Sequence, residues 1–159
     1  MDSRGFSLIE LMMVVVVIGI ILSAGVPAFA TFRDGMMLAQ ARSQVLQDLR
    51  MARQVAVTRH CPVIVTFGDG AATTNIGNYS VLYDTDGNGS ASTGERYFNR
   101  TMPSRTRLSK VTLAPTDKLS FDMSGVLAPG TGGGQLILAT TRGRVDTLQV
   151  SATGVVYEP

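Results

Sequence analysis

The sequence predicts an α+β protein, in which one long N-terminal α-helix, half membrane-spanning and half amphipathic, packs on a small antiparallel β head. Three observations predict it. Between Leu11 and Phe32 lie twenty-two residues without a charge. Beyond Phe32, apolar residues take three- and four-residue steps as far as Ala56, the period of a helix with one face on a core. After Pro62, short β-type runs alternate with Gly-, Asn-, Asp- and Pro-rich turns, a spacing that suits antiparallel meanders and leaves no room for parallel crossovers.

The totals set bounds on this reading. A chain of 159 residues suggests one domain, or one small domain plus an appended element. Once the first thirty or so residues leave the globule, about 100–130 remain, enough for one modest core. A net charge of +2 is too small to argue by itself for nucleic acid. The single cysteine, Cys61, cannot form an internal disulfide. It reads either as a buried small hydrophobe at the start of a strand or as a thiol free for an intermolecular pair.

As a helix, Leu11 to Phe32 would extend roughly 33 Å, close to the hydrocarbon thickness of a bilayer. Glu10 is the anomaly at its edge. A carboxylate at a bilayer centre costs about 2.5–3.5 kcal/mol on insertion scales, so an acid here is by default a functional residue. A secretory signal would use Arg4 as its charged region and Ala28-Phe29-Ala30 as its cleavage site, but the apolar run is too long for one. A generic anchor explains the length and gives Glu10 nothing to do.

Past Phe32 the core-facing positions read as Phe32, Met36, Ala39, Leu46, Leu49 and Ala56, with Ser43 as the weak member. Arg33, Gln40, Gln44, Gln47, Arg50 and Gln54 lie elsewhere on the wheel. Pro27 lacks a backbone donor, so a kink or a melted turn is expected near Ser23. Pro62 ends the helix near His60, because the residue before a proline avoids helical geometry. Strands are then expected over Val63–Phe67, Tyr79–Tyr83, Arg96–Arg100, Leu108–Leu113, Leu119–Asp122, Gln135–Ala139, Arg144–Ser151 and Val155–Tyr157. Gly130 to Gly134 reads as a flexible hairpin connection. It lacks the Lys-Ser/Thr and the following helix of a phosphate loop.

The residues Gly5-Phe6-Ser7-Leu8-Ile9-Glu10, leading into an apolar helix, closely resemble the leader of type IV prepilins and pseudopilins. The resemblance implies that a prepilin peptidase cuts between Gly5 and Phe6, that Phe6 is N-methylated, and that Glu10 pairs with the N-terminal amine of a neighbouring subunit. It implies a cleaved leader over 1–5, a transmembrane and assembly helix over 6–32, an amphipathic helix over 33–60 and a β-rich head over 61–159. It also makes Pro27 either a simple kink or a hinge that lets the helix extend in a fibre. Ala52-Arg53-Gln54-Val55-Ala56-Val57, the Asp-rich turn after a Tyr-containing strand, Phe121-Asp122-Met123-Ser124-Gly125 and the closing Val150-Ser151-Ala152-Thr153-Gly154 resemble the GspH/FimT-type minor pilins and pseudopilins.

The function this implies is that of a minor pilin, a structural or initiating subunit of a type IV pilus. Its partners would be other pilins, met through the helix, and the prepilin peptidase/methyltransferase. Before assembly it would sit in the bacterial inner membrane with its head in the periplasm. The alternatives are a pseudopilin of a type II secretion system and a DNA-binding subunit at a pilus tip.

Two constellations in the head could carry binding chemistry. Asp84, Asp86, Asn88, Ser90 and Glu95, with Gly89 at the sixth position, match the spacing of a calcium-binding loop. Strands instead of helices flank it, and Asp, Asn and Gly would equally build a solvated turn. Arg105, Arg107, Lys110, Arg142 and Arg144 could meet phosphates if they converged, although the closing Gly154-Val155-Val156-Tyr157 lacks the arginines that DNA-binding relatives carry there. No catalytic set is present: the one histidine, His60, stands at a helix end, and neither a nucleophile elbow nor a zinc-protease helix occurs. The chain does not read as an enzyme.

Overall fold

The computed structural model describes residues 7–68, 74–113 and 117–159, with the backbone alone at Ala24. One helix, α1, runs from Leu8 to Arg59, about 78 Å at the usual rise. It continues unbroken through Pro27, so the melted turn expected near Ser23 does not form. Local hydroxyls bond backbone carbonyls on either side of the proline: Ser23 Oγ donates to the Ile20 carbonyl at 2.7 Å, and Thr31 Oγ1 to that of Ala28 at 2.8 Å. Pro27 has no N–H to offer the Ser23 carbonyl one turn back, and the helix runs on past that single missing bond. His60 closes the helix in the left-handed conformation (φ 52°), a common stop before a chain reversal.

The strands are β1 (Val63–Phe67), β2 (Thr74–Ile76), β3 (Asn78–Tyr83), β4 (Arg96–Thr101), β5 (Thr106–Leu113), β6 (Lys118–Phe121), β7 (Gly134–Thr140), β8 (Val145–Val150) and β9 (Val156–Tyr157). They form two antiparallel sheets, ordered β4-β3-β1-β6 and β2-β5-β7-β8-β9. The second half of α1 lies mainly against β1 and β7. The core comes from alternating residues of the central strands, among them Val63, Val65 and Phe67 of β1, Leu136 and Leu138 of β7, and Leu148 of β8. In β5, Leu108 and Val111 are both buried although three residues apart. The register slips at Ser109, so Leu108 faces Leu138 while Val111 faces Leu136. The extra residue restores the inward phase. The edge strand β4 is largely exposed and carries Arg96 and Arg100, charges that discourage pairing with another chain.

The expected helix face needs correction. Phe32 (64 %) and Met36 (57 %) are exposed, as is Ala39, and Leu46 is only partly covered. The buried stripe is Asp34, Leu38, Ala41, Val45, Asp48, Leu49, Ala52 and Ala56. Two aspartates stand in it, which hides the stripe from a search for apolar residues. Alanines at 41, 52 and 56 let the strands approach the helix closely, and the larger Phe32 and Met36 extend the exposed apolar surface instead.

The second aspartate is held by a network. Tyr79, the largest fully buried side chain, donates its hydroxyl to Asp48 Oδ2 at 2.6 Å, and Arg100 lies 3.3 Å from the same oxygen. Burial, reinforced by the Asp48 hydrogen bond, pushes the Tyr79 phenol well above the ordinary tyrosine range. The folded chain therefore keeps this proton where the unfolded chain releases it. Its contribution to stability is complete below about pH 10 and declines as pH rises above that value. Tyr79→Phe is expected to cost about 1.5–3 kcal/mol at neutral pH, the range for a hydrogen bond to a charged group, and to flatten this alkaline decline. Urea titrations at pH 7, 10 and 11 check both effects.

Candidate functional site

The N-terminal half of α1 presents apolar side chains on all sides. Leu11 (61 %), Val16 (60 %), Ile20 (65 %) and Phe29 (66 %) are open to the surroundings. The helix is long and apolar enough to cross a membrane, and none of its most apolar window is covered by the head. Glu10 is exposed in the first turn, where its N–H and that of Leu11 donate to the Ser7 carbonyl at 3.1 and 3.2 Å. Among the described residues no cation pairs with it. Gly5 and Phe6, the expected processing residues, lie outside the described residues.

Where the apolar run ends, the head closes on the helix. Arg144 reaches the Thr31 carbonyl at 3.3 Å, and its guanidinium occupies the space a side chain on Gly35 would need. Arg142 Nε lies 3.5 Å from Asp34 Oδ2. That carboxylate is buried, and among the described residues neither of its oxygens accepts a hydrogen bond, so the ion pair is what meets its charge. Higher up, Arg42 pairs with Asp146 at 3.4 Å and Glu158 at 3.1 Å.

The sheet brings some of the basic residues together. The Arg105 carbonyl accepts from the Thr141 N–H at 3.0 Å, which places Arg105 beside the turn carrying Arg142 and Arg144. Arg107 and Lys110 are exposed along β5. Both arginines of the turn are directed at the helix, so they serve as clasps between head and helix.

Three of the stretches that resemble the family, one in α1 and two in the head, meet at one joint. Asp122 Oδ1 accepts from the Ser124 hydroxyl at 2.6 Å and from the Ser124 and Val126 N–H groups at 2.8 and 3.1 Å. These bonds, the Ser124 hydroxyl foremost, hold its carboxyl below the usual range. The turn they form offers the Gly125 carbonyl to Arg53 Nε at 2.8 Å. Gly154 approaches Phe121 so closely that a Cβ would lie 3.0 Å from the ring, and its φ of +76° also favours glycine. These motifs fasten the head to the helix. Cys61 is buried, as its reading as a small hydrophobe expects.

Sequence reasoning missed Asp34 and Asp48. The available signal was their phase: both fall in step with Leu38, Ala41, Val45 and Ala52, on a face where an acid needs a partner.

A long helix whose first half is apolar and exposed, and whose second half forms the spine of a small antiparallel head, defines the class of type IV pilin-like proteins. The family model for the type II transport protein GspH matches residues 41–154, and a prokaryotic N-terminal methylation motif matches residues 1–26. The chain belongs to the GspH family and is a minor pilin or pseudopilin of the GspH/FimT type. In fold it is similar to the type IV minor pilin FimU of Pseudomonas aeruginosa. Two crystal forms of FimU align with TM-scores of 0.58 and 0.54 at 17 % identity, covering 80 % and 77 % of this chain and 92 % of FimU. No curated protein matches it in sequence.

Proposed function

We propose that this chain is a non-enzymatic building block of a type IV pilus, a minor or initiating subunit that joins its neighbours through α1. The observation that carries this reading is Glu10: a lone carboxylate on an exposed apolar helix, with no cation to meet it among the described residues. Burying a carboxylate in a helix bundle is tolerable when an ammonium pairs with it and costly when none does. The α-amine of a neighbouring subunit's Phe6 has the required charge and chemistry. Before assembly the apolar half crosses the inner membrane, Arg4 stays on the cytoplasmic side and the head stands in the periplasm. A prepilin peptidase/methyltransferase removes 1–5 and methylates Phe6.

Mass spectrometry of the mature chain tests this reading. A methylated Phe6 at the N-terminus is the expected result. Cleavage after Ala30, or an intact leader, would overturn it. The family name favours a second machine, a type II secretion system. Deletion of the chain separates the two: loss of surface pili with secretion intact is expected, and the reverse outcome assigns it to secretion. DNA recognition would have to rest on Arg105, Arg107 and Lys110, because Arg142 and Arg144 are engaged with the helix.

A further inference from the structure

The connection between β3 and β4 begins at Asp84 and ends at Glu95. Its first residue is anchored, since the Asp84 N–H donates to the Pro62 carbonyl at 3.0 Å, just beyond the end of α1. The loop therefore lies at the end of the head farthest from the apolar half of the helix. Asp84 is buried at 3 % exposure. Its Oδ2 accepts from the Gly89 N–H at 3.0 Å, whereas its Oδ1 is buried with no partner at all. A carboxyl oxygen withdrawn from water and left unbonded is costly to fold.

The other acids gather around it. Oxygens of the Asp84, Asp86 and Glu95 carboxylates lie within 4.8 Å of one another. Among the described residues no Lys or Arg pairs with any of the three. Glu95 Oε1 accepts from the Thr85 N–H at 2.6 Å and from the Asp86 N–H at 3.2 Å, which draws the end of the loop back onto its start. The loop thus concentrates negative charge around an orphan oxygen, which is an arrangement that a cation would complete.

We infer that this loop is a calcium site, with Asp84, Asp86 and Glu95 as charged ligands and Asn88 and Ser90 as further oxygen donors. An all-oxygen set excludes metals that prefer nitrogen or sulfur. Calcium accepts six to eight oxygens in flexible geometry, whereas magnesium demands a near-ideal octahedron and keeps its waters, so an irregular loop of this kind favours calcium. The flanking elements are strands, so binding would not swing helices apart. It would tie the start of the loop to its end and stiffen this end of the head.

Full-length chain in detergent micelles, stripped with chelator, provides the test, with calcium alone as the probe. Thermal melts are expected to shift upward with half-saturation at about 0.1–1 mM calcium, the range of extracellular sites, and to respond little to magnesium. Terbium luminescence sensitised by tyrosine should report the same site and be displaced by calcium. Asp86→Asn and Glu95→Gln should each weaken binding at least tenfold, and the calcium-free melt of each variant shows whether it folds. No calcium-dependent shift at about 5 mM, above the weakest extracellular sites, would overturn the inference, as would an unchanged response in Asp86→Asn. The measurement uses the isolated chain, so its outcome is independent of membership in a fibre.

Discussion

Glu10→Ala is expected to insert into the membrane and be processed as the parent chain is, yet to be nearly absent from fibres. Insertion depends on the apolar run, which the substitution lengthens. In the proposed function, processing acts at Gly5 and Phe6, which the substitution leaves in place. In the same reading, assembly brings the helix among other helices, where without Glu10 the α-amine of a neighbour would lose its counter-charge. Removing one member of a buried ion pair costs about 3–5 kcal/mol because the remaining charge is uncompensated. At about 1.4 kcal/mol per tenfold, incorporation should fall by roughly two to three and a half orders of magnitude. Glu10→Gln, which keeps the shape and removes the charge, should fail similarly, while Glu10→Asp should retain part of the activity. Immunoblots of sheared fibres against whole cells give the ratio directly. Equal incorporation of Glu10→Ala would remove the pairing mechanism and leave α1 as a purely apolar packing element.

Gly134→Ala should produce one of the largest losses of stability among alanine substitutions at the described glycines of the head. Gly134 opens β7 and is paired on both sides, with Leu113 of β5 and Val150 of β8. A Cβ there would stand 1.9 Å from the Thr112 carbonyl oxygen. The obstruction is backbone in a paired strand, so no side-chain rotation relieves it. A cost of about 3 kcal/mol or more is expected, at or beyond the upper end for overpacking. Gly130→Ala provides the contrast. Nothing lies within 4 Å of its Cβ position, and its φ of +88° is the only objection, so about 1 kcal/mol is expected. Circular-dichroism melts of both variants in the same detergent would test the difference. If Gly134→Ala melted with the parent chain, the close approach of β5 and β7 would be refuted.

That contrast also shows where the sequence could be read and where it could not. Gly130 to Gly134 looks like one flexible run, but Gly134 is a strand residue required by the closeness of its neighbours. Nothing in a one-dimensional pattern reveals that closeness. The helix and eight of the nine strands were legible because periodicity and turn residues act locally. The strand Thr74–Ile76 was not, since three residues around Asn75, itself at φ 58°, have no alternation to detect. The helix face was misjudged where two aspartates replace apolar residues, because their partners Arg142, Tyr79 and Arg100 lie far along the chain. For the same reason Arg142 and Arg144 read as candidates for phosphate. Glu10 was conspicuous because a charge beside an apolar run violates a local rule. Asp84 stood out by spacing, but its unbonded oxygen could be seen only in three dimensions.

The clasps along α1 have a mechanical consequence. Arg144 holds the Thr31 carbonyl, Arg142 holds Asp34, Asp146 and Glu158 hold Arg42, and the Gly125 carbonyl holds Arg53. Head and helix are thereby riveted at several heights from Thr31 upward, so a tug on the helix axis reaches the head with little slack. Compliance is left to the stretch from Leu8 to Ala30, about 35 Å of helix that touches no rivet. In a filament under load, subunits of this design would shear and bend in their buried stems while their heads travel as solid blocks.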